Sequence, residues 1–389
     1  MQVSSIFNRL NLQQGDLAKS GVSFGSPGPM GLIFKRPQGN NALILNLAPY
    51  SNSGYAITRT FDASEIGTVQ ERYDGEGGLS NLNIGWAHAF RSNKFVPAGN
   101  QDSIRVQKRA IHLGAQTRYL FGEVRRTSTL DILDPTFLDH RSEISAQHRS
   151  ITSQFGVVLD QLVFVRYSAL RDFEKSLSIR LGGTFCPETN LISDLKQLDE
   201  TTQTLGGIPV GLDTAFFASR TNFQGRMPAS WTGGASFQFD RADGLRWSIG
   251  MEYGQAQWDQ ISETLAPELQ SPGVAWVRAE NVRVGMHFNL GNMEQRHPTW
   301  GKATYRIGLA SQKHPFEVGG VQLSSRSATA GWSIPLVGSR SLSRIHFGME
   351  IGQRNTTQDG LQEDFYRIHF GASLTPFFKN NWLIKRLYD

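Results

Sequence analysis

The feature that most constrains this chain is a period-two alternation of apolar and polar side chains, sustained for about ten residues at a time and repeated from end to end. In Asn281 to Leu290, one face carries Val282, Val284, Met286, Phe288 and Leu290, and the other carries Arg283, Gly285, His287 and Asn289. Tyr366, Ile368, Phe370, Ala372 and Leu374 alternate in the same way with Arg367, His369, Gly371 and Ser373. Ile345, Phe347, Met349 and Ile351 oppose His346, Gly348, Glu350 and Gly352, and Leu245 to Tyr253, Ala303 to Leu309, Ile111 to Phe121 and Leu177 to Phe185 repeat the split. A helix cannot gather such a pattern onto one side, so these segments are strands with two different faces.

Strand length decides between a soluble sandwich and a membrane barrel. Sandwich strands average about five or six residues, whereas a tilted strand crossing a bilayer needs about ten. The second face here mixes Gly with charged and hydroxyl residues, as a lumen does. Aromatics cluster near the segment ends (Trp86 and Phe90, Tyr119 and Phe121, Trp258, Trp300, Trp332), where interfacial girdles form. The most apolar stretches, Gly156 to Val165 and Ala42 to Leu47, are interrupted by Asp160, Gln161 or Asn46, so no helix spans a membrane. An open edge in hydrocarbon would strand its amides, so the sheet closes. The expectation is an all-β, closed antiparallel transmembrane β-barrel of about 12–14 strands, of outer-membrane type.

Forty Gly and 24 Phe fit such a chain. The net charge of +5 rests on singly scattered Arg residues, without a basic helix or stacking run, which excludes nucleic-acid binding. Arg's rigid fork suits lumen ion pairs and the phosphates of lipopolysaccharide. Polar segments Asp131 to Arg149, Glu188 to Gly206 and Ile261 to Pro272 read as extracellular loops, and Gly39 to Asn41 and Arg241 to Gly244 as periplasmic turns. No linker divides the chain, and no fixed repeat occurs beyond strand and turn.

The chemical motifs are poor. Gly21-Val22-Ser23-Phe24-Gly25 matches a nucleophile elbow, but Ser26-Pro27-Gly28-Pro29 follows it and cannot start the helix that elbow needs. The nine His lack metal-site spacing, and the single Cys186, beside Thr184, Phe185 and Pro187, has neither base nor metal partner. No enzyme, metal or cofactor is expected.

Several strings in order resemble a divergent branch of the FadL/TodX family of outer-membrane channels. They are Leu47-Ala48-Pro49-Tyr50-Ser51 with Gly54-Tyr55, Tyr73-Asp74-Gly75-Glu76-Gly77-Gly78-Leu79, Tyr119-Leu120-Phe121-Gly122, Tyr305-Arg306-Ile307-Gly308, Glu350-Ile351-Gly352-Gln353-Arg354 with Thr356-Thr357 and Glu363, and Trp382-Leu383-Ile384-Lys385-Arg386. The resemblance runs from about Gly28 to Asp389. It implies a fourteen-stranded barrel, a hatch upstream, and passive uptake of hydrophobic compounds such as long-chain fatty acids through a lateral opening. Met1 to Leu12 has no signal-peptide core and no Asn-Pro-Ala hatch motif occurs, so the chain reads as N-terminally truncated. Residues 1–27 are then a remnant of the hatch or first strand, and 28–389 the barrel with a C-terminal tail.

No ligand motif transfers from that family. Alternation alone places Arg118, Arg180, Arg246, Glu252, Arg283, His287, Arg306, Glu350, Arg367 and His369 on the inward face. Their competing role is a wall of structural salt bridges. The function reading is an outer-membrane channel whose partners are a hydrophobic small molecule, membrane lipid and lipopolysaccharide. The alternative is a FadL-like barrel serving as a subunit of a protein-secretion machine, like the type IX shuttle.

Overall fold

The computed structural model describes residues 1–14, 20–35, 39–64, 66–98, 102–134, 136–168, 172–205, 208–260, 273–290, 299–336, 343–355 and 361–375. They form one antiparallel sheet that closes on itself as a fourteen-stranded barrel. The first wall strand is β1 (Gln2–Gln14). The second is broken into β2 (Ser20–Pro27) and β3 (Met30–Lys35), and the third into β4 (Asn41–Asn52) and β5 (Tyr55–Ala63). Three long strands follow, β6 (Gly67–Ala98), β7 (Asp102–Ile132) and β8 (Asp139–Tyr167). The seventh comprises β9 (Phe173–Cys186) and β10 (Thr189–Leu205), and the eighth β11 (Ile208–Met227) and β12 (Ser230–Arg241). The ring continues through β13 (Arg246–Ala256), the tenth strand β14 (Val274–Trp276) with β15 (Ala279–Asn289), then β16 (Thr304–Val318), β17 (Val321–Pro335), β18 (Arg344–Asn355) and β19 (Leu361–Ser373).

Closure is made by β1 on β19, an unbroken register from Gln2↔Ser373 to Gln14↔Leu361. Residues within 1–27 therefore supply β1 and β2, both paired into the barrel. The Gly21 to Gly25 string lies inside β2, where Ser23 opposes Arg9 across an antiparallel ladder rather than capping a helix.

Alternation is realised as read. Outward side chains such as Ile151, Met251, Ile307, Leu309 and Ile368 are exposed on the barrel's outer surface, Leu309 to 65%. Aromatic pairs mark the two rims of this apolar band. Trp231 stacks edge-on with Tyr253, and Tyr119 lies over Phe121, at one end. Phe239–Trp247, Phe288–Tyr305 and Trp332–Phe347 pair at the other. We call the second end, which carries the Arg241 to Gly244 turn and the Gln2↔Ser373 end of the β1–β19 seam, the lower one.

The expectation of uniform strands joined by loops is corrected here. Asp131 to Arg149 and Glu188 to Gly206 run largely as strand, in the ends of β7, β8 and β10, and extend the wall above the upper girdle. Ile261 to Pro272 lies outside the described residues. Above the girdle, β5, β6, β7, β8, β10 and β11 continue as an open sheet. Its outer face is held by ions rather than lipid. Arg125 reaches Glu123 at 3.2 Å, Glu143 at 3.4 Å and Glu76 at 3.5 Å, and Arg141 joins Glu143 at 2.6 Å and Glu200 at 3.4 Å. The hydrogen bond to Glu123, with the neighbouring carboxylates, raises the Arg125 pKa above its ordinary value. Prolines set the breaks: Pro187 and Pro228 lie at the same level of adjacent strands and have no N–H to donate to a ladder.

Candidate functional site

The lumen is emptied by glycine. Gly250, Gly285 and Gly308 oppose one another directly across three strands, and Gly182 and Gly234 form a further pair in the same lining. With no side chains to fill the barrel here, a cavity of about 920 Å³ remains.

Arg180, Glu252, Arg283, His287, Arg306, Glu350 and Arg367 all line this cavity. Most are mutually neutralised. Arg180 donates to Asp160, Arg283 to Glu252 at 3.1 Å, and Arg367 to Glu350 at 3.2 Å while its guanidinium lies 4.5 Å over the Phe365 ring. Two expected residues line neither this cavity nor the smaller one described below: Arg246 is held by Asp240, and His369 sits 4.0 Å from Glu350. They support the wall through these partners. Arg306 differs, because it donates to the hydroxyl of Ser333 at 2.8 Å and has no carboxylate partner among the described residues.

Arg118 belongs to a separate, smaller cavity of about 60 Å³ shared with Tyr50, Leu120, Thr152, Met227 and Trp258. Its guanidinium donates to the amide oxygens of Gln154 at 2.8 Å and Asn83 at 3.2 Å, again without a carboxylate. Tyr50 points into this pocket by the same parity that turns Asn46 and Ala48 inward, opposite the outward Leu43, Leu45 and Leu47. The β4–β6 register shifts between Pro49 and Ser51, a bulge that kinks the strand at this level. Tyr50 is legible by parity, although it is not among the inward residues expected above. Arg344 and Asp160 were also missed, although Arg344 shares the inward parity of His346 and Glu350.

The same kink opens the wall. β3 pairs with β4 over Met30 to Lys35, but β2 pairs only with β1 on its one side and β5 only with β6 on the other. Among the described residues no ladder joins Ser20–Pro27 to the Pro49–Ala63 stretch. Everywhere else along the apolar band the wall is laddered. Tyr50 stands beside this break.

A closed fourteen-stranded barrel with an apolar belt, two aromatic rims and a polar, glycine-cleared lumen defines a transmembrane β-barrel of outer-membrane type. The family profile described as BamG matches residues 30–389, and the chain belongs to that family. Comparison with the curated proteins finds no match. Among solved structures the chain is similar to the Ralstonia pickettii toluene transporter TbuX, at 14% identity and a TM-score of 0.51, covering 95% of this chain and 88% of that one. It is also similar to the P. putida toluene transporter TodX (12% identity, TM-score 0.48, 96% and 89% covered) and to a Pseudomonas aeruginosa FadL homologue (10% identity, TM-score 0.46, 95% and 88% covered). The likeness to TbuX shows the shared barrel fold.

Proposed function

We propose that the protein is an outer-membrane channel through which hydrophobic small molecules, long-chain fatty acids among them, pass passively. The observation that carries this reading is the unladdered break between β2 and the kinked third strand, with the Tyr50–Arg118 pocket directly behind it. An apolar molecule gains by moving from lipid into a pocket walled by Leu120, Met227 and Trp258 without crossing bulk water. Its polar end meets Arg118, whose charge is hydrogen-bonded but not neutralised. The neighbour TbuX is named as a toluene transporter, which supports a hydrophobic substrate here.

Equilibrium binding of a fluorescent long-chain fatty acid to the purified protein, with uptake into liposomes carrying it, tests the reading. Arg118→Ala is expected to weaken binding about tenfold, the scale of one lost charge-assisted hydrogen bond. Arg283→Ala, which removes a wall salt bridge, leaves binding unchanged. Equal behaviour of the two variants excludes the pocket as the entry site.

A second reading, a barrel that serves as subunit of a protein-secretion machine, is favoured by one different feature. Val210, Leu212, Phe216 and Phe217 of β11 are exposed above the upper girdle, Phe217 to 62%, on a strand whose outer edge is unpaired among the described residues. Lipid does not cover side chains at that height, and such edges accept a partner's strand. Stoichiometric partners recovered with the protein from membranes, and lost with Phe217→Lys, favour this second reading; a monomer carrying bound lipid favours the first.

A further inference from the structure

The lumen's arginines divide into two kinds. Arg180, Arg246, Arg283, Arg354 and Arg367 are each matched by an aspartate or glutamate. Two arginines near the lower end lack that match. Arg306 donates to Ser333 Oγ at 2.8 Å, and Arg344 donates to Thr304 Oγ1 at 2.7 Å and to the carbonyl oxygen of Lys302 at 3.5 Å. Neither has a carboxylate partner among the described residues.

The hydroxyls around them are committed to holding the cations, not to neutralising them. Ser333 is fully buried; its oxygen accepts from Arg306 and its hydrogen goes to His346 Nδ1 at 2.7 Å. That assignment leaves the His346 Nε2–H to donate to Ser373 Oγ at 3.0 Å, so the ring is neutral and fully used. Along the row that starts at Arg306, the next inward residues are Gly331 and Gly348, which place no side chain in front of the guanidinium. The nearest acids are already engaged, Glu350 by Arg367 and Asp240 by Arg246. Two guanidiniums, Arg306 open to the lumen and Arg344 half-buried, are fixed by neutral acceptors and lack only an anion, and their planar N–H forks suit one with two or more oxygens.

We propose that Arg306 and Arg344 form an oxyanion-binding site at the lower end of the lumen, taking a carboxylate or phosphate group. The site stands apart from the Tyr50–Arg118 pocket and does not depend on the wall break. Its ligand is either a free oxyanion or the head group of an amphiphile that has entered the barrel.

The test is ³¹P NMR of inorganic phosphate titrated with the full chain in non-ionic detergent, alongside binding of dodecanoate. Saturable broadening of the phosphate signal, competed by sulfate, is expected. Arg306→Gln with Arg344→Gln lowers the affinity at least about tenfold, on the scale of losing a charge-assisted contact. Arg283→Gln leaves it unchanged. Arg344→Gln alone serves if the double variant loses the heat-modifiable gel mobility of a folded barrel. Dodecanoate binding with the same arginine dependence, but none by phosphate, assigns the site to amphiphile head groups. Absence of saturable binding by both ligands, or binding that survives loss of both arginines, overturns the site. If phosphate does not bind, dodecanoate binding that is lost in Arg118→Gln but indifferent to Arg306 and Arg344 overturns it too, while leaving the channel reading intact.

Discussion

Single residues in this barrel live under opposite rules on its two faces. Leu309, exposed on the apolar belt, faces the bilayer interior, and Arg283, a few residues away by register, faces a wet lumen. Leu309→Arg is expected to cost about 2–4 kcal/mol, the depth-dependent penalty for a cation on the lipid face near the midplane. Arg283→Ala is expected to cost less than about 1 kcal/mol, because both Arg283 and Glu252 are well exposed and their attraction is screened by lumen water. Urea unfolding of the two variants in lipid vesicles compares them directly; similar costs would mean that the inner face is dry. Parity alone made this distinction readable residue by residue. It also turns Tyr50 inward, with Asn46 and Ala48.

At the scale of elements, the hairpin joining β7 to β8 rises clear of the membrane and carries two acids that respond to pH in opposite senses. Burial, with Asp139 nearby, raises the Asp131 pKa above its ordinary value, partly offset by Arg72. The folded hairpin therefore binds this proton more readily than the unfolded chain, and stability rises as pH falls through the raised value. Asp134 accepts from the Thr136 amide at 3.0 Å and from its hydroxyl at 2.7 Å, which lowers its pKa. That contribution is present above the ordinary carboxylate range and is lost as pH falls through the lowered value. Amide exchange, corrected for intrinsic rates, is expected to slow first at Ile132, whose N–H donates to Asp139, and then to quicken at Thr136 on further acidification. A monotonic change at both sites would contradict the two shifts. These segments were read as loops because their side chains are polar on both faces, yet a strand above the membrane needs no apolar face when ion pairs such as Arg125–Glu143 cover it.

For the whole molecule, closure is the stabilising event, since it leaves neither β1 nor β19 with an open edge in hydrocarbon. Deleting Gln2 to Gln14 removes the seam and exposes edges on β2 and β19 together. The expected result is loss of the compact, heat-modifiable band on gels; a retained band would mean that β2 can take over pairing with β19. The sequence by itself determined the class of fold, because lipid on one side and water on the other impose a two-residue period that any reader of side chains can follow. It also placed Arg180, Arg283, Arg306 and Arg367 on the lumen side. Only the tertiary structure decided which of those charges are neutralised, because the partners of Arg180 and Arg283 lie on neighbouring strands and are fixed by register. It alone located the break in the wall, which arises where two kinked strands part, a relation between segments that no single segment contains.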